Sequence, residues 1–309
     1  MLIYLHNEHL RLTVDTLGAQ MMELFGPSGR QYLWQGDPAY WNDRSPVLFP
    51  CIGRLFQDRY RFRDAEYSIG IHGFAAESMF SVTTYQDDGA VLSLSDSPEN
   101  ATRYPFPFSL EITYRLRGSS VEITYAVQNR GSQVMPFAIG GHPGFRVPWA
   151  EGEEFEDYTL VFSQRCQPDR IGTVAGPLLS GRVERFPLEA GRFLPLRHSL
   201  FENRVIILQN MAKEVTLQSQ ISGCVVTVSY PQMPYLGIWH TPKTDAPFVC
   251  IEPWTSLPGR ENMIEDFSRK SDLIQLAPGR RFEITWSITI TDTCLLYTSP
   301  SPRDMRRSR

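Results

Sequence analysis

Two ionisable residues stand out because each interrupts an apolar stretch beside glycine or proline. His142 lies in "IGGHPGF" and Glu252 lies in "FVCIEPW". The ordinary pKa is about 6.5 for histidine and about 4.3 for glutamate. Near neutral pH a histidine can therefore donate a proton while a glutamate accepts one. The two residue types therefore indicate acid–base chemistry, provided that the fold brings together positions more than a hundred residues apart.

Two further polar residues occupy similar places at the ends of apolar runs. Arg54 follows "FPCIG", and His72 lies in "IGIHGFA". Strands turn into loops at such places, and loops on a rigid sheet often carry binding groups. Taken singly, a histidine beside glycine is more often a satisfied structural group, and an arginine is more often an ion-pair partner. The functional interpretation depends on the four residues together.

The neighbours of His142 raise the question of what they make room for. A Gly-Gly pair precedes the histidine and a Pro-Gly pair follows it. Glycine removes side-chain bulk, while proline fixes a backbone angle and removes a donor. We expect these neighbours to clear space for a ligand and to stiffen the loop.

The elements that must position these residues are predicted to be strands. Residues 110–116 and 121–127 alternate apolar and polar side chains, and "RGSS" between them predicts a hairpin turn. Residues 282–290 alternate in the same way after the turn "APGRR". Many further short strands, few helices and turns rich in Pro and Gly predict an all-β fold, a large antiparallel sandwich or barrel.

Length and composition limit the class of protein. The chain has 309 residues, of which 42% are hydrophobic, and we expect one domain over residues 1–293. No stretch has the length of a membrane span or the form of a signal peptide, so a cytoplasmic location is the expectation. The five cysteines are widely spaced without a CxxC pair, which predicts neither a disulfide framework nor a structural zinc site.

The last sixteen residues differ from the rest of the chain. Residues 294–309, "CLLYTSPSPRDMRRSR", lack apolar periodicity and resemble the translation of an adapter used in sequencing libraries. We interpret them as a disordered, non-native tail. Without their four arginines and one aspartate, the formal net charge changes from −4 to −7. An acidic body argues against nucleic acid or an anionic membrane as a partner.

The chain resembles the aldose 1-epimerases, the galactose mutarotase-like family, and most closely the branch similar to the LacX proteins of lactose operons. The matching stretches occur in family order over roughly residues 40 to 260: "SPVLFPCIGRL", "HGFA", "IGGHPGF", "SLFEN", "YLGIWHTP" and "CIEPW". The most specific part is "GGHPGF" together with "IEPW". The resemblance implies a large antiparallel β-supersandwich, which agrees with the strand-rich pattern.

The resemblance also implies an activity and a site. The activity is interconversion of the α and β anomers of a hexose by ring opening and reclosure. His142 matches the general acid that protonates the ring oxygen, and Glu252 matches the general base for the C1 hydroxyl. Substrate-binding positions are implied for Arg54, His72, Glu202, Trp239 and Trp254. For the two tryptophans, core packing is an equal alternative.

Two other carbohydrate functions stay open. A non-catalytic carbohydrate-binding β-sandwich would need aromatic faces but would not need both His142 and Glu252. A hexose-6-phosphate 1-epimerase would use basic residues near the first motif, for which a solvated, charged strand is the favoured alternative. The candidate basic residues are Arg44, Arg59, Arg61 and Arg63.

Two further classes are less favoured. Glycoside hydrolysis usually needs two carboxylates, and Glu202 is the one candidate partner for Glu252. A metal site of His72, His142, His240 and Glu252 lacks HxH or HxxxH spacing. Because one acid and one base suffice for mutarotation, we expect no metal and no cofactor. The expected partner is a monosaccharide, with the protein a monomer or a homodimer.

Overall fold

Strands make up most of the regular structure of this chain. The computed structural model describes residues 1–174, 176–202 and 205–292, and the tail predicted from residue 294 onward lies outside them. Within these ranges the helices are one short α-helix, α1 (Pro98–Ala101), and four 3-10 turns (Phe56–Asp58, Ala75–Glu77, Phe155–Asp157 and His198–Phe201). None of the helices within the described ranges has the length and apolar character needed to cross a membrane.

Twenty-four strands occur in the described residues. The first twelve are β1 (Leu2–His6), β2 (Arg11–Asp15), β3 (Gln20–Phe25), β4 (Val47–Leu48), β5 (Arg59–Phe62), β6 (Ala65–Ser68), β7 (Ser81–Gln86), β8 (Gly89–Ser95), β9 (Phe108–Arg117), β10 (Ser120–Asn129), β11 (Met135–Phe137) and β12 (Gly140–Gly141). The others are β13 (Gly144–Arg146), β14 (Tyr158–Phe162), β15 (Asp169–Thr173), β16 (Leu179–Arg185), β17 (Phe193–Pro195), β18 (Ile206–Gln209), β19 (Glu214–Ser219), β20 (Val225–Ser229), β21 (Tyr235–Trp239), β22 (Phe248–Trp254), β23 (Ile274–Leu276) and β24 (Arg281–Thr291).

Two large sheets contain most of these strands. The nine-stranded sheet has the order β17-β14-β19-β20-β24-β10-β9-β8-β7. The eight-stranded sheet has the order β16-β15-β18-β21-β22-β12-β4, with β13 also paired to β22. Smaller sheets are β1-β2-β3, β5-β6 and β11-β23, and neighbouring strands within the sheets run antiparallel. The predicted all-β, antiparallel architecture is confirmed.

The hairpin predicted from alternation is the centre of the nine-stranded sheet. β9 and β10 pair along their whole length, with Ile123 opposite Tyr114, and β24 pairs with the other edge of β10. In all three strands the apolar positions are mostly buried while the alternate positions are partly exposed. Period-two alternation thus placed one face of this sheet in the core, as side chains of successive strand residues point to opposite faces.

A large hydrophobic core joins the two sheets. Its buried side chains include Tyr125 and Trp286 from the nine-stranded sheet and Ile207, Ile238 and Ile251 from the eight-stranded sheet. Burial of a large aliphatic or aromatic side chain contributes about 1.5 to 3 kcal/mol, so the paired sheets stabilise each other. The single-domain extent of residues 1–293 stays a prediction.

The eight-stranded sheet brings the two chemically distinctive motifs together. Every residue of β22 is buried, which explains why its sequence reads as an almost unbroken apolar run. β12 and β13 both pair with β22, with Gly140 opposite Trp254 and Gly144 opposite Cys250. The loop between β12 and β13 carries His142, so this residue lies beside the strand that carries Glu252.

The glycines before His142 make room for tryptophans. A Cβ on Gly140 would lie 2.7 Å from Cδ1 of Trp254, and one on Gly141 would lie 2.5 Å from Cζ2 of Trp286. Our expectation that both residues clear space for a ligand is therefore wrong: the space is occupied by protein side chains. What they permit is close approach of the β12 backbone to both tryptophan rings.

Replacement of Gly141 by Ala tests this close packing. The added methyl group meets Trp286 and the Tyr125 hydroxyl, both buried, so neither can move freely. We expect the free energy of unfolding to fall by about 1 to 3 kcal/mol, the usual cost of overpacking. Urea denaturation measures it, with Gly70→Ala as control, since a Cβ on Gly70 has nothing within 4 Å. Equal stability of the two variants would contradict the packing argument.

Candidate active site

A cavity of about 450 Å³ opens beside the central strands of the eight-stranded sheet. Five of the seven site residues predicted from the sequence line it. They are His72, His142, Trp239, Glu252 and Trp254. Four motifs that are far apart in sequence therefore meet at one place in the fold.

His142 and Glu252 are in direct contact within this cavity. Nε2 of His142 lies 3.2 Å from Oε2 of Glu252, and the two residues are 8% and 1% exposed. Nδ1 of His142 and Oε1 of Glu252 have no hydrogen-bond partner in the described part of the chain. Buried polar atoms are normally paired, so an unpaired atom on each residue beside a cavity indicates that a ligand completes the set.

Burial moves the two residues towards their uncharged forms. It lowers the pKa of His142 well below its ordinary value, and neighbouring His72 adds to this effect. Burial also raises the pKa of Glu252 well above its ordinary value. Trp254 opposes the Glu252 shift, although its indole N–H makes no hydrogen bond of normal geometry within the described residues. The ordinary pKa values assumed from the sequence do not apply, and the contact favours one proton shared by the pair.

His72 is held firmly beside the pair. Its backbone has φ +64°, which is uncommon for a residue other than glycine. Its backbone N–H donates to Gly53 O at 2.8 Å, and the Gly53 N–H donates to its ring Nδ1 at 3.1 Å. Burial, aided by the charge of Arg54, lowers the pKa of His72 to about 4. At neutral pH the ring is uncharged, so Nε2 carries the proton and can donate it in a hydrogen bond.

Aromatic rings form one wall of the cavity. The rings of Trp41 and Trp239 lie 4.9 and 5.7 Å from the ring of His142 and meet each other edge to face. Trp239 is half-buried, whereas Trp254 is 2% exposed. Trp254 therefore contributes mainly to packing, while Trp41 and Trp239 offer the more accessible ring surface.

Two predicted site residues do not line this cavity. Arg54 makes two hydrogen bonds to the Asp58 carboxylate, at 2.7 and 2.8 Å, and acts on the site through its charge on His72. Glu202 lines a separate surface depression of about 660 Å³ with Lys243 and Asp245. The glycosidase hypothesis needed Glu202 close to Glu252, and the structure places the two residues in different depressions.

Sequence reasoning missed nine of the fourteen residues that line the cavity. Trp41 and Asp43 could have been found from the sequence, because they come just before the "SPVLFP" motif. The others are Gly, Pro, Ile and Val residues without reactive groups, and only the fold shows that they line the cavity. The missed residues are Trp41, Asp43, Pro46, Gly53, Ile71, Pro177, Val205, Pro242 and Pro258.

The loop after β22 is held by a buried ion pair. The Asp272 carboxylate accepts hydrogen bonds from Lys270 Nζ at 2.5 Å, from Ser256 Oγ at 2.6 Å and from the Leu257 N–H at 2.8 Å. Lys270 is 7% exposed. Pro258, next along the chain, lines the cavity, so Asp272 fixes the path from Glu252 to the cavity wall.

The histidines do not form the metal set considered from the sequence. The ring of His240 contacts His198, with 3.2 Å between Nε2 and Nδ1, and His240 is not part of the cavity lining. Within the described residues, the group that could hold a metal ion is instead His142, Cys250 and Glu252, with ligand atoms within 4.8 Å of one another. Cys250 and Glu252 share a face of β22 because they are two residues apart.

Buried His240 predicts lower stability in mild acid. Burial lowers its pKa to about 4 in the folded protein, whereas the unfolded residue titrates near 6.5. As the pH falls from 6.5 towards 4, the unfolded chain binds a proton that the native protein does not, so unfolding becomes more favourable. We expect the free energy of unfolding to be lower at pH 5 than at pH 7 by on the order of 1 to 3 kcal/mol.

Urea denaturation at the two pH values measures this difference. The variant His240→Phe should show a smaller difference because the titrating ring is gone, while His6→Gln, at an exposed position, should behave like the unaltered protein. An unchanged pH difference in His240→Phe would contradict the assignment.

Known proteins resemble this chain over nearly its whole length. The profile of the family described as "Aldose 1-epimerase" matches residues 1–289. The chromosomal Protein LacX of Lactococcus lactis subsp. lactis is 33% identical over 299 residues, which cover 92% of this chain and 99% of LacX.

Solved structures resemble the fold over nearly the same extent. A galactose mutarotase related enzyme from Lactobacillus acidophilus has a TM-score of 0.90 at 29% identity, covering 95% of this chain and 98% of that one. A galactose mutarotase-like protein from Lactobacillus casei has a TM-score of 0.88 at 30% identity, covering 94% and 100%. The fold implied by the sequence resemblance is therefore confirmed.

Proposed function

The chain belongs to the aldose 1-epimerase family, and from that premise we propose that it interconverts the α and β anomers of a hexose. The observation that carries the proposal is the contact between His142 and Glu252 inside the cavity. Each residue keeps one unpaired polar atom there, so a bound sugar can meet an acid and a base together. Adjacent oxygens of a sugar ring, O5 and the C1 hydroxyl, present the matching pair of groups.

Ring opening in this proposal moves two protons. The Glu252 carboxylate removes the proton from the C1 hydroxyl, the C1–O5 bond breaks as C1 becomes an aldehyde, and the His142 imidazolium protonates O5. The aldehyde rotates about the C1–C2 bond, so that O5 attacks its other face. On closure His142 takes the proton back from the C5 hydroxyl and Glu252 returns its proton to the former carbonyl oxygen. The pair ends as it began.

The shared proton explains why such a pair can work in both directions. The closed sugar requires charged His142 and Glu252, and the open sugar requires both uncharged. Burial favours the uncharged forms, while attraction across 3.2 Å favours the charged forms. Because the two effects oppose each other, neither state is far more stable than the other, as a reversible reaction requires.

The remaining lining groups bind and orient the sugar in this proposal. Nε2–H of His72 donates a hydrogen bond to a sugar oxygen, since its Nδ1 already accepts one from Gly53. Trp41 and Trp239 provide apolar surface for the C–H face of the ring. Burial lowers the pKa of His72 and so keeps it uncharged, and the positive charge of Arg54, which does not line the cavity, adds to this effect.

The decisive experiment follows anomer exchange directly. Freshly dissolved α-glucose and α-galactose are followed by polarimetry, or by NMR exchange at equilibrium, with and without protein. We expect the first-order rate constant to rise in proportion to protein concentration. If no hexose is accelerated although tryptophan fluorescence reports binding, the protein is the non-catalytic carbohydrate-binding alternative. The cytoplasmic location and the monomeric or homodimeric state stay predictions.

A further inference from the structure

We propose that Asp43 is a specificity residue of this cavity, which selects aldoses bearing a hydroxyl or ammonium group and rejects those bearing phosphate. The inference rests on the proposed function for the identity of the ligand as a sugar. The observation behind it is the distribution of charged side chains around the cavity, beyond the acid–base pair itself.

The described cavity lining contains carboxylates but no lysine or arginine. Its ionisable side chains are Asp43, His72, His142 and Glu252. Burial drives both histidines and Glu252 towards their neutral forms, so Asp43 is the exposed ionisable group among them. A phosphate carries about two negative charges near neutral pH and is usually met by arginine, lysine or backbone N–H groups. The lining therefore favours a neutral or cationic ligand over a phosphorylated one.

The arginines that could have supplied a phosphate site are engaged elsewhere. Arg44 donates hydrogen bonds to Met22 O at 2.9 Å and to Gln35 Oε1 at 3.2 Å. Arg59 and Arg61 both pair with the Glu66 carboxylate, at 3.0 and 3.5 Å.

Two other basic residues near these positions also lie outside the cavity lining. The guanidinium of Arg63 lies over the Phe62 ring, with 5.5 Å to its centroid. Lys243 lines the neighbouring depression, together with the carboxylates of Glu202 and Asp245. None of the four arginines considered for phosphate binding therefore lines the cavity, which argues against the hexose-6-phosphate alternative.

Asp43 has a fixed place close to the acid–base pair. The backbone around it is tied to the His142 loop, because the His142 N–H donates to Pro46 O at 3.1 Å and the Gly144 N–H donates to Arg44 O at 2.8 Å. On its other side Trp41, two residues earlier, has its ring 4.9 Å from that of His142. A loop held at both ends presents its carboxylate in a defined position.

The Asp43 carboxylate has no partner within the described protein. It makes neither a hydrogen bond nor an ion pair there, although its exposed side chain lines the cavity. The surrounding protein displaces part of its water, and this desolvation raises the pKa of Asp43. A partly desolvated carboxylate without a cation gains from a hydroxyl or ammonium donor and opposes an anion.

The test compares three sugars that differ in one substituent. Binding of glucosamine with its amine protonated, of glucose and of glucose 6-phosphate is measured by tryptophan fluorescence, and mutarotation is measured on the same samples. The variant Asp43→Asn removes the charge and keeps the shape. Asp64→Asn, at an exposed turn between β5 and β6, is the matched control.

We expect the unaltered protein to bind glucosamine most tightly and glucose 6-phosphate most weakly. In Asp43→Asn, the ratio of the dissociation constants for glucose 6-phosphate and glucosamine should be smaller by roughly tenfold. Added salt should also reduce this ratio in the unaltered protein. The effect of Asp43→Asn on glucose should fall mainly on KM and less on kcat, because Asp43 contacts the sugar but does not touch the reacting atoms in the proposed mechanism. Asp64→Asn should leave all ratios unchanged.

Two results would overturn the inference: equal binding of glucose and glucose 6-phosphate by the unaltered protein, or an unchanged ratio in Asp43→Asn. If the expected order of binding is found without any mutarotation, the selectivity of Asp43 stands and the proposed activity fails. If mutarotation is fastest with glucose 6-phosphate, the proposed activity stands and the proposed selectivity of Asp43 is wrong.

Discussion

Replacement of His142 by Asn, or of Glu252 by Gln, should lower the kcat for mutarotation by about 10²- to 10⁴-fold, the usual contribution of a general acid or base. Each change keeps a polar side chain of similar size but removes a group that can carry the transferred proton. KM should change much less, because His72 and the aromatic wall remain. Anomer exchange by NMR measures both constants.

The double variant and a distant histidine supply the controls. Because the two residues exchange protons through one substrate, the double variant should be little slower than either single variant. His198→Asn alters a histidine that is not part of the cavity lining and should retain most of the activity. Full activity in both single variants would remove the acid–base assignment, whatever the family.

The pH profile should report the same pair. Activity needs one proton on the two residues together, so it should fall when a second proton binds in acid and when the last proton leaves in alkali. The lowered pKa of His142 and the raised pKa of Glu252 reflect burial, which each single variant keeps while it loses the attraction of the opposite charge, so the pKa of the remaining partner should move further from its ordinary value. The limbs of kcat/KM against pH should therefore be displaced in each variant.

Replacement of Asp272 by Ala should lower the free energy of unfolding by about 3 to 5 kcal/mol, because it leaves the buried Lys270 ammonium without its partner. It also frees the Ser256 hydroxyl and the Leu257 N–H, which both donate to this carboxylate. Urea denaturation measures the loss. Among the substitutions considered, this should have the largest effect on stability.

A paired substitution separates charge from packing. Lys270→Met combined with Asp272→Leu removes both charges, so it should be more stable than Asp272→Ala alone although the loop donors stay unpaired. If Asp272→Ala proves as stable as the unaltered protein, the ion pair does not hold this loop. An increased KM for hexose in Asp272→Ala, measured under conditions in which the variant is fully folded, would link the loop to the cavity through Pro258.

Much of the fold was predictable because one physical signal repeats along the chain. Strands with one buried face, such as β9, β10 and β24, must alternate apolar and polar side chains. The pairing of β9 with β10 followed from the short turn between them, whereas the pairing of β24 with β10 joins distant parts of the chain. β22 was harder, since a strand buried on both faces shows no alternation. Its place at the centre of the second sheet depends on contacts with β12, β13 and β21, which are distant in sequence.

The site was predictable only in its chemistry. His142, Glu252 and His72 stood out because titratable groups within apolar runs need an explanation. The role of Gly141 was misjudged because the space beside a glycine is set by a tryptophan from another sheet, Trp286. Trp41 lines the cavity through packing that no local pattern encodes, and Arg54 acts on His72 through its charge without lining the cavity.

The attachment of Glu252 to a central strand has a consequence for how such a protein can be redesigned. Glu252 lies on β22 and His142 lies in the two-residue connection between β12 and β13, which both pair with β22, whereas Asp43, Pro242 and Pro258 reach the cavity from other loops. In the proposed function, the reaction and the choice of sugar would therefore depend on separate parts of the chain. Exchanging the loops that carry Asp43, Pro242 and Pro258 should change which sugar is preferred. The proposed ring opening should be retained, because it depends on His142 and Glu252.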